Sequence, residues 1–306
     1  MRKIFKLKGN GFCYGVTRAI KIANDVLKDP NTIKPIYMLG SLIHNQHVNE
    51  YLKSKGIIVL DNKSRFDLLD EISSGTVIFT AHGVSDQVIN KAVSKGLNYV
   101  DATCPYVKKM FSLVKNKIND GCLVYFIGKD HHPESEVALS LGKNVTLIDK
   151  NNLPSTDKLV YLCHQTTMSS FDIEELYQLL INKNPNLTKL DMLCKVTEER
   201  QLELLNLNKN DFSDSSLIII IGDKMSNNST KLYEIAKRIN KPDVLFISNI
   251  SELNLLELKK YDEIRLISGT STPAEITNEI YNVLLDLDSI TYNKYVSKLN
   301  IDDYIK

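Results

Sequence analysis

The chain lacks an excess of either charge: its 306 residues carry 38 Lys and Arg against 37 Asp and Glu, a formal net charge of +1. So even a balance gives no long-range field to gather nucleic acid or an anionic membrane, and any anion site must be built locally. No run approaches the roughly 18 apolar residues that a membrane-spanning helix needs. The opening Met1-Arg2-Lys3-Ile4-Phe5-Lys6 alternates charge and bulk and has no secretion-type apolar core. A cytoplasmic protein is the expectation, in which tripeptides such as Asn144-Val145-Thr146 go unglycosylated. Low-complexity linkers are missing, and so are three familiar motifs. Gly9, Gly11 and Gly15 miss the dinucleotide spacing because Tyr14 holds the third glycine's place, and there is neither a P-loop nor a His-Glu-x-x-His zinc helix. What remains is a globular composition, 43% hydrophobic and 25% charged, long enough for two or three compact units.

Cysteine is scarce as well, five in all, and the odd count in an unexported chain favours reduced thiols or metal ligands over disulfides. Three of them, Cys13, Cys104 and Cys194, are separated by 91 and 90 residues. That spacing predicts three copies of one unit, each bringing a thiolate to a shared centre. Three soft ligands suit an iron–sulfur cluster with one iron left uncapped; zinc also fits if a fourth ligand or a water completes it. Cys122 and Cys163 lie in predicted strands without repeat partners and read as small buried apolar residues.

The repeat extends beyond the cysteines. A short strand precedes each one (Ile4–Leu7, Leu97–Val100, Leu187–Leu190), and a helical stretch follows each one. Then come continuous apolar runs stopped by glycine: Ile36–Gly40, Val124–Gly128 and Leu217–Gly222. Strands buried on both faces of a parallel sheet have this character. Helices are expected near His47–Lys55, Glu134–Leu141 and Ser229–Asn240. Third strands follow at Ile57–Asp61, Val145–Asp149 and Val244–Ser248, and fourth strands at Val77–Thr80, Leu159–Leu162 and Ile264–Ile267. Alternation of this kind predicts an α/β fold of three pseudo-repeated units with mainly parallel sheets. The units are placed at 14–103, at 104–193, and at 194–280 completed by 1–13. Residues 281–306 form a C-terminal tail with no counterpart and no assigned role.

Open parallel sheets bind ligands beyond the carboxyl ends of their strands, and here those ends collect polar residues. His44, His132 and Ser226 follow the second strands, at 31, 28 and 32 residues from their own cysteine; His82, Thr166 and Ser271 follow the fourth, at 69, 62 and 77. Such a set, with helix N-termini, suits a phosphate. Glu134 is a lone carboxyl among these donors, and beside an anion it would hold its proton longer, as a proton donor must. Pro105 after Cys104 predicts a helix start at which a thiolate is favoured. Gly9, Gly11 and Gly15 let the backbone turn tightly beside a bulky group. His47, His131 and His164 read as surface residues, Ser229 and Thr272 as helix caps.

Taken together, Gly11–Val16, Ile43-His44-Asn45, Ala81–Val84, Asp101–Pro105, His132-Pro133-Glu134, Gln165-Thr166-Thr167 and Ser226–Ser229 resemble the IspH/LytB family of 4-hydroxy-3-methylbut-2-enyl diphosphate reductases across nearly the whole chain. The resemblance implies a three-unit trefoil around an iron–sulfur centre and the last step of the non-mevalonate isoprenoid pathway. Cys13, Cys104 and Cys194 would hold a [4Fe–4S] cluster. Glu134 would supply protons with Thr166 positioning substrate, and His44, His82, His132, Ser226, Asn228 and Ser271 would hold the diphosphate. A ferredoxin or flavodoxin would supply electrons. The family usually shows Ser-Ser-Asn-Ser in the third copy, whereas this chain has Ser226-Asn227-Asn228-Ser229, which puts Asn227 at a substrate-binding position.

Overall fold

The computed structural model describes residues 2–305. The first copy runs β1 (Lys3–Lys6), α1 (Tyr14–Lys28), β2 (Ile36–Leu39), α2 (Gln46–Ser54), β3 (Ile57–Leu60), α3 (Arg65–Leu68), β4 (Thr76–Phe79) and α4 (Asp86–Ser94). The second runs β5 (Asn98–Asp101), α5 (Pro105–Asn119), β6 (Leu123–Ile127), α6 (Pro133–Ser140), β7 (Val145–Ile148), β8 (Val160–His164) and α7 (Ser170–Ile181). The third runs β9 (Leu187–Lys189), α8 (Lys195–Leu205), β10 (Ser216–Ile221), α9 (Asn227–Arg238), β11 (Asp243–Ile247), α10 (Leu255–Leu258), β12 (Glu263–Ser268) and α11 (Ala274–Leu285).

These strands form three four-stranded sheets, β3-β2-β4-β5, β7-β6-β8-β9 and β11-β10-β12-β1, and every pairing between them is parallel. Each sheet has the same order: third strand, second, fourth, and then the pre-cysteine strand of the following copy. The last sheet closes the cycle by taking β1 from the chain's own start, with Lys3 opposite Glu263 and Lys6 opposite Leu266. Within each sheet the chain leaves the second strand to one side and returns to the other, so the second and fourth strands flank the point where the direction of winding reverses. That is where an open sheet leaves a crevice for ligands.

Side-chain character follows strand position. Central β10 is buried along its whole length, and its residues alternate between faces. Leu217, Ile219 and Ile221 pack with Ile276, Ile280 and Leu284 of α11, whereas Ile218 and Ile220 pack with Leu232, Ile235 and Ala236 of α9. β6 repeats the arrangement, Tyr125 and Ile127 meeting α7 while Val124 and Phe126 meet α5 and α6. Burying each such side chain contributes roughly 1.5–3 kcal/mol. Edge strand β1, by contrast, carries lysines at both ends and is largely exposed, which blunts its open edge.

The chain divides into two compact units. One holds the chain up to Tyr14, the segment His44–Tyr51 and everything from Lys195 on; the other holds Gly15–Ile43 and Leu52–Cys194. Residues 281–290, left without a role by the sequence, continue α11 and complete the core on one face of the last sheet, where Leu284, Leu287 and Ile290 are buried. Among the described residues no helix is long and apolar enough to cross a membrane.

Candidate functional site

All three repeat cysteines stand immediately before a helix, at the starts of α1, α5 and α8, and all three thiols are partly exposed. One backbone bond recurs at each. The amide of Cys13 donates to Thr270 O (3.0 Å), that of Cys104 to Ala81 O (2.9 Å) and that of Cys194 to Thr166 O (2.9 Å). The pre-cysteine strand pairs with the fourth strand, and where the pairing ends the cysteine docks on the loop just beyond it. The other two cysteines are buried, Cys163 within β8 and Cys122 just before β6 rather than in the strand expected for it, and burial pushes the Cys163 thiol up to about 12, so it stays protonated and unreactive.

The backbone register shows which residues correspond. Ala81, Thr166 and Thr270 are the matching positions, so His82, Thr167 and Ser271 match one another; aligning Thr166 with His82 and Ser271 from sequence is one residue out. In each copy the docking residue lies two past the end of the fourth strand, but the stretch between the cysteine and that strand differs in length, so distance from the cysteine does not reveal the offset.

In the larger unit, His132 caps α6: its Nδ1 accepts the amide of Glu134 (3.1 Å). With Nδ1 accepting, the ring proton lies on Nε2, which becomes a donor. The His82 ring meets the His132 ring edge-on, centroids 5.3 Å apart at 85°. Glu134 is 2% exposed. Thr166 donates to it twice, from N to Oε2 (2.9 Å) and from Oγ1 to Oε1 (3.2 Å). Burial pushes the Glu134 carboxyl up to about 7, against those two bonds, which favour the charged form. The carboxyl that holds a proton near neutrality therefore sits on the threonine whose carbonyl anchors Cys194.

The other unit repeats the motif with different chemistry. Ser226 caps α9 by accepting the Ser229 amide (3.4 Å), and its Oγ lies 3.2 Å from Ser271 Oγ, within hydrogen-bond distance. Asn228, two residues after the cap as Glu134 is after His132, accepts the Thr270 amide on Oδ1 (2.9 Å). Its Nδ2 is buried and has no hydrogen-bond partner, a donor set among helix-start amides. Asn227 is 8% exposed beside it. His44 enters this unit through its backbone, with Ser271 Oγ donating to His44 O (3.1 Å) and Asn45 Nδ2 to Ser271 O (2.9 Å). Gly9 and Gly11 before Cys13 have φ of +81° and +87°, which side chains rarely adopt.

Four sequence readings change. Ser229 is not a cap: it lies inside α9, and its amide is accepted by the cap Ser226. His164 is buried rather than at the surface: its Nε2 accepts the Met192 amide (3.2 Å), its Nδ1 lies 3.1 Å from Gln165 O, and burial lowers its pKa. His47 is half-buried and stacked on Tyr304. Thr272 caps no helix; its hydroxyl donates to Ile221 O (3.1 Å) at a strand end. Arg200 was missed. It is 2% exposed and donates to Ser268 O (2.7 Å) and Gly11 O (2.5 Å), tying the Cys13 loop to the end of β12. Its signal was a helix with Thr197, Arg200, Gln201 and Leu204 at core spacing, three of them polar.

Fold and site define a class: a parallel α/β protein of three cyclically linked sheets, each docking a cysteine beside polar strand-end loops. The family model described as LytB protein matches residues 4–285. The chain is 39% identical over 293 residues to a curated 4-hydroxy-3-methylbut-2-enyl diphosphate reductase of Bacillus cereus (strain AH820), covering 94% of this chain and 91% of that one. It superimposes on the solved E-1-hydroxy-2-methyl-but-2-enyl-4-diphosphate reductase of Plasmodium falciparum with a TM-score of 0.83 at 27% identity, covering 98% of this chain and 95% of the other. A second solved structure, described as (E)-4-hydroxy-3-methyl-but-2-enyl diphosphate reductase, the terminal enzyme of the non-mevalonate pathway, matches with a TM-score of 0.64 at 27% identity over 94% of this chain and all of that one. The chain belongs to the LytB family.

Proposed function

We propose that the chain is a cytoplasmic iron–sulfur reductase that converts (E)-4-hydroxy-3-methylbut-2-enyl diphosphate to isopentenyl and dimethylallyl diphosphates. The overall change adds two electrons and two protons, breaks the allylic C–O bond and releases water. Of the units 14–103, 104–193 and 194–280 with 1–13, the second supplies Cys104 and the third supplies both Cys13 and Cys194. Cys13, Cys104 and Cys194 would hold a [4Fe–4S] cluster, which when bound would supply electrons and a Lewis-acid iron. The donor set suits it: three partly exposed thiols at matching positions, each with its backbone pinned, and two others buried out of play.

This chain's own residues do the rest. Glu134 stays protonated near neutral pH and provides a proton as the C–O bond breaks, and the Thr166 amide and hydroxyl hold its carboxyl in place and stabilise the carboxylate left behind. His132, with its proton on Nε2, joins His44, His82, Ser226, Asn227, Asn228 and Ser271 in holding the diphosphate through neutral donors and helix-start amides. A ferredoxin or flavodoxin delivers electrons one at a time.

The observation that carries this reading is the matched pair on the two threonines: a buried carboxyl at Glu134 and an unpaired amide donor at Asn228. Anaerobic purification should give brown protein with about four irons and four sulfides per chain, which turns over the allylic diphosphate with a chemical reductant. Loss of iron on replacing Cys13, Cys104 or Cys194 by Ser, but not Cys122 or Cys163, is expected. Colourless, iron-free protein after anaerobic reconstitution would refute it.

A further inference from the structure

The segment His44–Tyr51 follows β2 in sequence but packs in the unit built on the β11-β10-β12-β1 sheet. Within that unit it is held at successive residues. Ser271 Oγ bonds the His44 carbonyl, Asn45 Nδ2 bonds the Ser271 carbonyl, and the Gln46 amide donates to Asp223 Oδ2 (3.0 Å). The fourth hold comes from the far end of the chain: the His47 ring stacks on Tyr304, with centroids 4.3 Å apart and planes inclined by 21°.

Tyr304 is not a loose end that happens to touch. The chain after α11 is pinned along its course. Asn293 O accepts the Leu255 amide (2.8 Å), and Lys259 Nζ reaches Asp288 O (3.2 Å) and Ile290 O (2.6 Å). Glu279 of α11 accepts from Ser297 Oγ and from the Lys298 amide, both at 2.7 Å. Tyr295, Leu299 and Tyr304 then pack against the same apolar core as α11. So the tail leaves the core on a defined path and arrives with an aromatic ring against the start of α2, three residues after His44.

From this path and stack we infer that the C-terminal tail is a clamp and Tyr304 a positioning residue, acting through His47 to hold the His44–Asn45 turn in the arrangement that receives the diphosphate. The inference rests on the reading of His44 as a diphosphate contact. Asn45 and Ser271 tie that turn to the Ser226 loop. Each such tie restricts one end of the segment, and the aromatic stack restricts the helix beyond it. Releasing the stack frees the turn to sample arrangements that do not bind, which lowers apparent affinity without altering the chemical step.

The experiment uses the reconstituted holoprotein and two readouts: calorimetric binding of inorganic diphosphate and steady-state turnover of the allylic diphosphate. Tyr304→Ala should weaken diphosphate binding and raise KM about three- to tenfold, the range an aromatic pair supports, with kcat and the cluster's visible spectrum unchanged. Tyr304→Phe keeps the ring and should restore wild-type KM. His47→Ala should match Tyr304→Ala, and the double variant should be no worse than either alone, because one interaction is removed only once. Unchanged binding in Tyr304→Ala, or additive losses in the double variant, overturns the clamp. Wild-type holoprotein that fails to bind diphosphate would instead refute the reading of the site itself.

Discussion

Glu134 and Asn228 occupy the same step of the repeat, two residues past a helix cap, and each accepts a loop amide from a threonine. A carboxamide keeps the acceptor but has no proton to give; the carboxyl adds a titratable proton. Glu134→Gln keeps an acceptor for the Thr166 amide and offers Nε2 to the hydroxyl, so fold and cluster should persist while turnover falls about 100-fold or more, the usual worth of a positioned general acid. Visible absorbance and single-turnover kinetics separate the two. The same group sets a pH dependence. Its folded-state value, about 7, lies above the ordinary 4.5; its contribution to stability is therefore complete below 4.5 and is lost as pH rises through about 7. Turnover should fall over the same alkaline interval, and the stability slope should be absent in Glu134→Gln, as pH-dependent urea melts can test. Glu134, His132 and the cysteines were legible because chemistry-bearing side chains at strand ends stand out against apolar runs. Thr270 and Asn45 were not: one acts through its backbone, and the other's partner lies 226 residues away, a contact no local pattern encodes.

At the scale of elements, the start of α9 is set by a steric lock. Ser229 fits under two glycines that end strands: a Cβ on Gly222 would lie 2.3 Å from Ser229 Oγ, and one on Gly269 2.0 Å. The equivalent place in the second copy is built alike: a Cβ on Gly128 would lie 2.3 Å from Ser135 Oγ. The glycines thus let a helix N-terminus approach the crevice between second and fourth strands closely enough for its amides to face a ligand. Gly269→Ala should force α9 outward, costing about 1–3 kcal/mol of stability and weakening diphosphate binding; adding Ser229→Gly should recover most of both, as thermal melts and calorimetry can show. Failure of the second change to rescue the first would mean that the helix start is not held by this contact. The central strands were readable as unbroken apolar runs, and the glycines that stop them marked the loops. The third copy's pre-cysteine strand shrank to three residues and its helix α8 buries polar side chains, so hydrophobic periodicity was weak there for a physical reason: of its buried side chains only Leu204 joins the apolar core with α9, while Arg200 binds backbone carbonyls.

In the molecule as a whole, each sheet borrows its edge strand from the next copy, and the last borrows from the first. This closure was only half legible. Equal cysteine spacing and matched strands announced three copies, yet the pairing of β1 with β12 joins residues about as far apart as the chain allows, and the tail's role rests on single aromatic and backbone contacts. The arrangement also decides what the cluster can mean for stability. Every sheet has its own apolar core, and the three cysteines stand partly exposed at helix starts, Cys104 packing against the margin of one core. Removing the proposed cluster would take away a ligand of the native state without removing any core side chain. If, as proposed, the three thiolates hold a cluster in the folded chain, linkage requires a lower thermal midpoint on its removal, but not collapse of the sheets. Anaerobic chelation should therefore lower the melting midpoint while the far-ultraviolet circular dichroism at 25 °C stays essentially that of the holoprotein. Loss of that signal on chelation would place this chain with the small metal-folded domains, whose structure exists only with the metal bound, and the division of labour between apolar cores and thiolate loops argued from these sheets would be wrong.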